Sequence, residues 1–128
     1  MPKLSHEDET LVSGWLARTV ERRADALAAW NQLTDLSSID LERGWRLALA
    51  LVDRVPDEHL AAVGAGPLED LLNAFPEEVV TRCVEQARKD QRFREALSGA
   101  WISRKRTPAS VREALVLATD GKILIHDT

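Results

Sequence analysis

The sequence predicts an all-α fold, and three observations carry that expectation. Apolar residues recur at helical spacing along nearly the whole chain, as in Leu11, Val12, Trp15, Leu16 and Val20. Pro56, Pro76 and Pro108 fall between those stretches, where helices end or begin. Alternating apolar–polar runs of strand type are nearly absent. The expected architecture is seven or eight short helices in antiparallel pairs, in an irregular or helical-repeat-like bundle. Residues 1–128 are expected to form a single domain, with 119–128 as an extended tail.

Composition sets the outer bounds. A chain of 128 residues can bury a real core. With 45% hydrophobic and 30% charged residues it is too apolar for a disordered chain. No apolar run approaches the roughly 18 residues of a membrane span. The opening MPKLSHEDET lacks the apolar core of a signal peptide, so a cytoplasmic location is expected. The single cysteine, Cys83, leaves no internal disulfide. A net charge of −4 weighs against nucleic acid as the main partner.

The elements follow in order. Ser5 can cap a first helix, with Asp8 completing an imperfect capping box. A second helix is expected over 24–33 with Ala26, Leu27 and Trp30 inward. Thr34–Ser38 reads as a loop whose serines cap a third helix. That helix carries Leu41, Trp45, Ala48, Leu49 and Val52, and Pro56 ends it. A short helix from Asp57 runs to Gly64, which is expected to close it in the left-handed conformation. Gly66 then stands as N-cap and Pro67 at the first helical position, with Glu69 and Asp70 in the first turn. The stretch reads as a tight helix–turn–helix joint.

Leu68, Leu71, Leu72 and Phe75 follow on one face, and Pro76 starts a helix with Val79, Val80, Cys83, Val84 and Ala87 inward. Phe93, Ala96, Leu97, Ala100 and Trp101 give the cleanest helical pattern in the chain. Thr107–Pro108 can cap a last helix. Asp120-Gly121 turns the chain into Lys122–His126, which suits a strand but has no evident partner and reads as tail. Trp15, Trp30, Trp45, Phe75, Phe93 and Trp101 are expected mostly in the core.

A pattern of Leu-x-x-small-aromatic occurs at Leu11–Trp15, Leu41–Trp45, Leu71–Phe75 and Leu97–Trp101, at offsets of 30, 30 and 26 residues. Small residues beside large rings let helices approach closely. Such periods suit stacked helix pairs, and an irregular bundle meets the same pattern.

The run of Gly44-Trp45, the GAGPLEDLL of 64–72 and the FREALSGAW of 93–101 resembles a bacterial family of small domains of unknown function. The likeness spans roughly the central two-thirds of the chain. It implies a small helical protein and brings no catalytic residues with it.

Two charged regions compete as sites. Residues 57–78 hold six acids and no Lys or Arg. Glu69 and Asp70 are consecutive, about 100° apart on a helix, so they cannot form a facing dyad. With Asp57 and Glu58 they are the candidate partner-binding residues. The function this suggests is a non-enzymatic interaction domain working through an acidic surface on a basic protein, with an immunity or inhibitor protein as one concrete form. The rival is the basic stretch 82–106, where Arg88, Lys89, Arg92, Arg104, Lys105 and Arg106 are candidate nucleic-acid contacts. Against it, Phe93 and Trp101 are expected on the apolar face rather than among the cations. Arg104–Arg106 are also expected to follow a helix C-terminus, where cations are favoured anyway. His6, His59 and His126 lack metal-site spacing, and Cys83 sits on an apolar face. No nucleophile elbow or phosphate loop is present. No enzyme, cofactor or metal is therefore expected, and the oligomeric state stays open.

Overall fold

The computed structural model describes residues 3–127. Helix α1 (His6–Thr19) starts where the Ser5 hydroxyl oxygen accepts the Asp8 N–H at 3.1 Å, as the capping pattern anticipates. A 3₁₀ turn at Ala24–Ala26 leads into α2 (Leu27–Ile39). The expected loop at 34–38 is helix instead. The Ser37 hydroxyl donates to the Leu33 carbonyl at 3.0 Å, so the residue is satisfied while buried inside α2. Asp40, not a serine, caps α3 (Leu41–Arg54) by accepting the Arg43 N–H at 3.1 Å. Leu27 is exposed rather than inward.

The central joint is not a turn. A 3₁₀ turn at Asp57–His59, α4 (Leu60–Val63), a π-helical turn at Gly64–Leu68 and α5 (Glu69–Ala74) run on as one rod. Gly64 has φ −63° and ψ −48°, an ordinary right-handed helical geometry, so the left-handed cap is overturned. Pro67 lies inside the rod, where it lacks an N–H and crowds the preceding turn; the wider π turn accommodates both effects. Gly64 is needed for a different reason. A Cβ there would overlap the Ala96 carbonyl oxygen and stand 2.9 Å from Ala96 C and 3.0 Å from Ala100 N. Gly99 faces the backbone of Ala61 in the same way. The rod and the following α7 region thus pack backbone on backbone.

Helix α6 (Pro76–Lys89) begins at Pro76, as expected. Its Cys83 is fully buried, and burial pushes the thiol up to about 12. Asp90 caps α7 (Gln91–Leu97) by accepting the Phe93 N–H at 3.1 Å. Phe93 is buried and meets Trp45 edge to face at 5.6 Å.

The cleanest helical pattern then fails at its end. The helix stops at Leu97, and Trp101–Ser103 form strand β1. Chain 104–123 carries α8 (Ala109–Ala118), which packs on α6, and returns as β2 (Leu124–His126). The two strands pair in parallel, Trp101 opposite Leu124, Ile102 opposite Ile125 and Ser103 opposite His126. The expected tail is therefore a strand. Its partner was hidden in the sequence because the apolar spacing of Phe93, Ala96, Leu97 and Ala100 also fits a helix running on. Asp120 and Gly121 make the turn before β2 at positive φ, 53° and 77°.

The fold is predominantly α-helical, with this ribbon as its β element among the described residues. The aromatics divide. Trp15 is buried, and Trp30, Trp45 and Phe75 are partly so. Trp101 is 57% exposed, against expectation. The four-fold pattern has its anticipated effect at Gly14, which abuts Ala29, and at Gly44, which abuts Ser37. Its third small residue, Ala74, is exposed, and its fourth copy crosses the end of α7.

Candidate functional site

The two predicted sites meet. Asp57 on the 3₁₀ turn pairs with the guanidinium of Arg92. Arg92 also donates to the carbonyls of Val52 at 2.9 Å and Val55 at 2.6 Å, which closes the C-terminal end of α3. One candidate from each list is thus used to fasten α7 to α3. Glu69 is likewise engaged, its carboxylate accepting the Trp101 N–H at 2.6 Å. Neither it nor Asp70 stands at a free helix start, because the Glu69 N–H donates back to the Gly64 carbonyl. Asp70 is half-buried; desolvation first, and the Glu69 charge second, raise its carboxyl to about 6. Glu58, Glu77 and Glu78 remain solvated.

The basic stretch is equally divided. Arg82 pairs with Glu42, and Arg94 donates to the Ala87 carbonyl at 3.2 Å. Arg88 and Lys89 are exposed in the last turn of α6. Arg104 pairs with Asp127 at 3.1 Å. Lys105 and Arg106 lie exposed in the turn after it. These three follow a strand, not a helix C-terminus, so the helix dipole does not explain them.

What neither list contained is the ribbon. Trp101 (57% exposed) and Leu124 (52%) are register partners on one outer face. The His126 ring lies 5.8 Å from that of Trp101, tilted by 43°. Leu117 on α8 is 79% exposed. It borders a groove of about 530 Å³ with Arg104, Arg112, Glu113, Val116 and Ile125. A second depression on its other side is lined in part by Arg88, Arg94 and Ala114. Apolar surface and cations are therefore interleaved around the C-terminal unit. The signal available in the sequence was the strand preference of Ile123-Leu124-Ile125, taken together with the exposed-type flanks of Trp101-Ile102-Ser103.

Among the described residues no group of three His, Cys, Asp or Glu is placed to hold a metal ion. Among them, too, no helix is long and apolar enough to cross a membrane.

The geometry defines a small helical domain that carries one strand–helix–strand ribbon with an apolar and basic outer surface. The chain belongs to the Family of unknown function (DUF6869), whose family model matches residues 18–122. No curated protein and no solved structure shows significant similarity to it.

Proposed function

We propose that this chain is a non-enzymatic protein-interaction domain that docks its partner on the ribbon. The observation that carries the reading is the pairing of Trp101 with Leu124, two large apolar side chains held side by side and more than half exposed. Rigid exposed aromatics of this kind are the usual anchors of protein interfaces. The acidic form of the reading, an immunity-type capture of a basic toxin, now rests on Glu58, Glu77 and Glu78. Asp57, Glu69 and Asp70 are engaged by Arg92, held on the Trp101 amide or half-buried.

The test is site-specific photocrosslinking in the native host. A crosslinker at position 101 or 124 should give one discrete adduct, and the same group at exposed Asn31 should give none. Equal adducts at all three positions would remove the ribbon from the interface.

A second reading is favoured by the same tryptophan. An exposed ring beside Arg104, Lys105 and Arg106 is what single-stranded nucleic acid stacks on. Sub-micromolar, steeply salt-dependent binding of a mixed oligonucleotide, lost in Trp101→Ala, would replace the first reading with this one.

A further inference from the structure

The two edges of the ribbon are not equivalent. In a parallel pair, alternate residues turn their N–H and C=O toward the partner strand and the others turn outward. The Arg104 N–H donates to the His126 carbonyl at 2.8 Å, which fixes the phase. With the register above, Leu124 and His126 face β1, while Ile123, Ile125 and Asp127 face away from it. On β1 it is Trp101 and Ser103 that face outward. That outer edge is covered, since Glu69 takes the Trp101 N–H and the Ser103 carbonyl accepts the Thr107 N–H at 3.0 Å. On β2 the first outward amide, Ile123 N–H, is taken by the Thr119 hydroxyl oxygen at 3.1 Å. The next, Ile125, has both N–H and C=O turned outward with no acceptor or donor placed on them among the described residues.

Ile125 also lines the groove beside α8. An open strand edge running beside a helix-walled groove is the geometry used for strand addition, where main-chain bonds supply affinity and alternate side chains enter the groove. The groove walls say what those side chains are. Val116, Leu117 and Ile125 are apolar. Of the charged residues there, Arg104 pairs with Asp127, Glu113 stands in the same wall, and Arg112 donates to the neutral carbonyls of Arg104 at 2.6 Å and Thr107 at 2.7 Å with no carboxylate paired to it among the described residues. Residues 104–127 hold five basic and three acidic side chains in a chain whose net charge is −4.

We infer that the β2 edge and the α8 groove bind an extended segment of a partner protein in which apolar and acidic residues alternate. This deepens the proposed function and rests on it for the existence of a protein partner. A second copy pairing through the same edge is disfavoured as occupant, because it would bring the basic 104–127 region of one chain against that of the other.

The experiment is an ¹⁵N-NMR titration of the whole chain with a synthetic heptapeptide of alternating Val and Glu. A Val–Lys peptide and a Val–Glu peptide N-methylated at alternate amides serve as comparisons. The expected result is saturable binding with shifts and slowed exchange at the Ile125 and Asp127 amides. The Val–Lys and N-methylated peptides, and Leu117→Asp protein with the Val–Glu peptide, should each bind at least tenfold more weakly. Leu117 is 79% exposed, so that variant is expected to fold. Absence of saturable binding, or equal binding of the N-methylated peptide, overturns the inference. So does concentration-dependent protection of Ile125 without peptide, which would show a second copy on the edge. Discrete photocrosslinks at 101 and 124 alongside a failed titration would leave the protein-partner reading standing and remove strand addition alone.

Discussion

The rod from Leu60 to Ala74 and the ribbon of β1 and β2 are joined by the hydrogen bond from the Trp101 N–H to Glu69, yet they are built in opposite ways. In the rod a small residue is turned inward. Gly64 lets the backbone lie against Ala96, and the preceding turn is held by Arg92 through Asp57. On the ribbon Trp101 and Leu124 are turned outward, and the β2 edge leaves the main-chain groups of Ile125 unpaired among the described residues. A helix satisfies its own backbone and can bury small residues against a neighbour. A two-stranded ribbon leaves two edges over, and only one is covered here. The difference places stability in the first region and, under the function proposed above, surface for a partner in the second.

The comparison breaks most sharply at Gly64. A Cβ there would overlap a backbone oxygen, which cannot swing aside as a flexible side chain could. Gly64→Ala is therefore expected to cost about 3 kcal/mol or more, at the upper end of overpacking changes. Gly66 is two residues along the same rod, and its nearest neighbour would be Trp15 at 3.9 Å. Gly66→Ala is expected to be neutral or stabilising by up to about 1 kcal/mol, through the unfolded chain. Thermal melts of the two variants decide the point. Equal losses would show that the π turn itself demands glycine, rather than the contact with α7.

Arg92 tests the same inward economy in a charged group. Its removal leaves the carbonyls of buried Val52 and Val55 without their donor. Arg92→Ala should cost about 2 kcal/mol, and Arg92→Lys should recover less than half of it, because a lysine lacks the fork that spans both oxygens. Arg88→Ala, in the same basic stretch but exposed, should stay within about 0.5 kcal/mol. Urea denaturation reads all three.

These residues also show how far the sequence could be read. Helix class, the caps at Ser5 and the breaks at Pro56 and Pro76 were legible because each is local: one residue's side chain or ring acts on its own turn. Gly64 was legible as necessary but not for the right cause. A glycine required for close approach and one required for positive φ look alike in a sequence, and only the position of Ala96 separates them. The candidate acids and bases were found as charges, yet Arg92 and Asp57 cancel through a contact 35 residues long-range, which composition does not reveal. The ribbon was missed because parallel pairing joins segments separated by a whole helix, and each strand is too short to show its period.

Asp70 sharpens the comparison from the rod's side with pH. Its folded carboxyl titrates at about 6, above the ordinary 3.8, so between these values the folded state holds the extra proton. Stability is then highest below pH 4 for this group and falls as pH rises through 4 to 6. For a fully buried carboxyl the rise would be worth about 3 kcal/mol. Asp70 is half-exposed, and solvent screening leaves about 1 kcal/mol. Asp70→Asn is expected to remove this part of the pH dependence and to stabilise the protein at pH 7 by about that amount. Chemical denaturation at pH 4, 5, 6 and 7 checks it; parallel curves for the two proteins would mean that Asp70 is better hydrated than its place beside Glu69 implies.

The smallest effect on stability belongs to the ribbon's outer face, and it separates folding from recognition. Trp101 and Leu124 already meet water over more than half their surface, so truncating them returns little buried area to solvent. Trp101→Ser and Leu124→Ser are each expected to change unfolding free energy by no more than about 0.5 kcal/mol. Ile102, the residue between the outward positions of β1, is 1% exposed, and Ile102→Ser should cost about 3 kcal/mol by burying a hydroxyl in a cavity. The three midpoints in urea give the contrast directly. If the outer-face variants match wild type while losing the photocrosslinked adduct, the exposed pair is kept for contact with a partner. If they unfold as readily as Ile102→Ser, the tryptophan is a cover over the ribbon, and its exposure belongs to the fold.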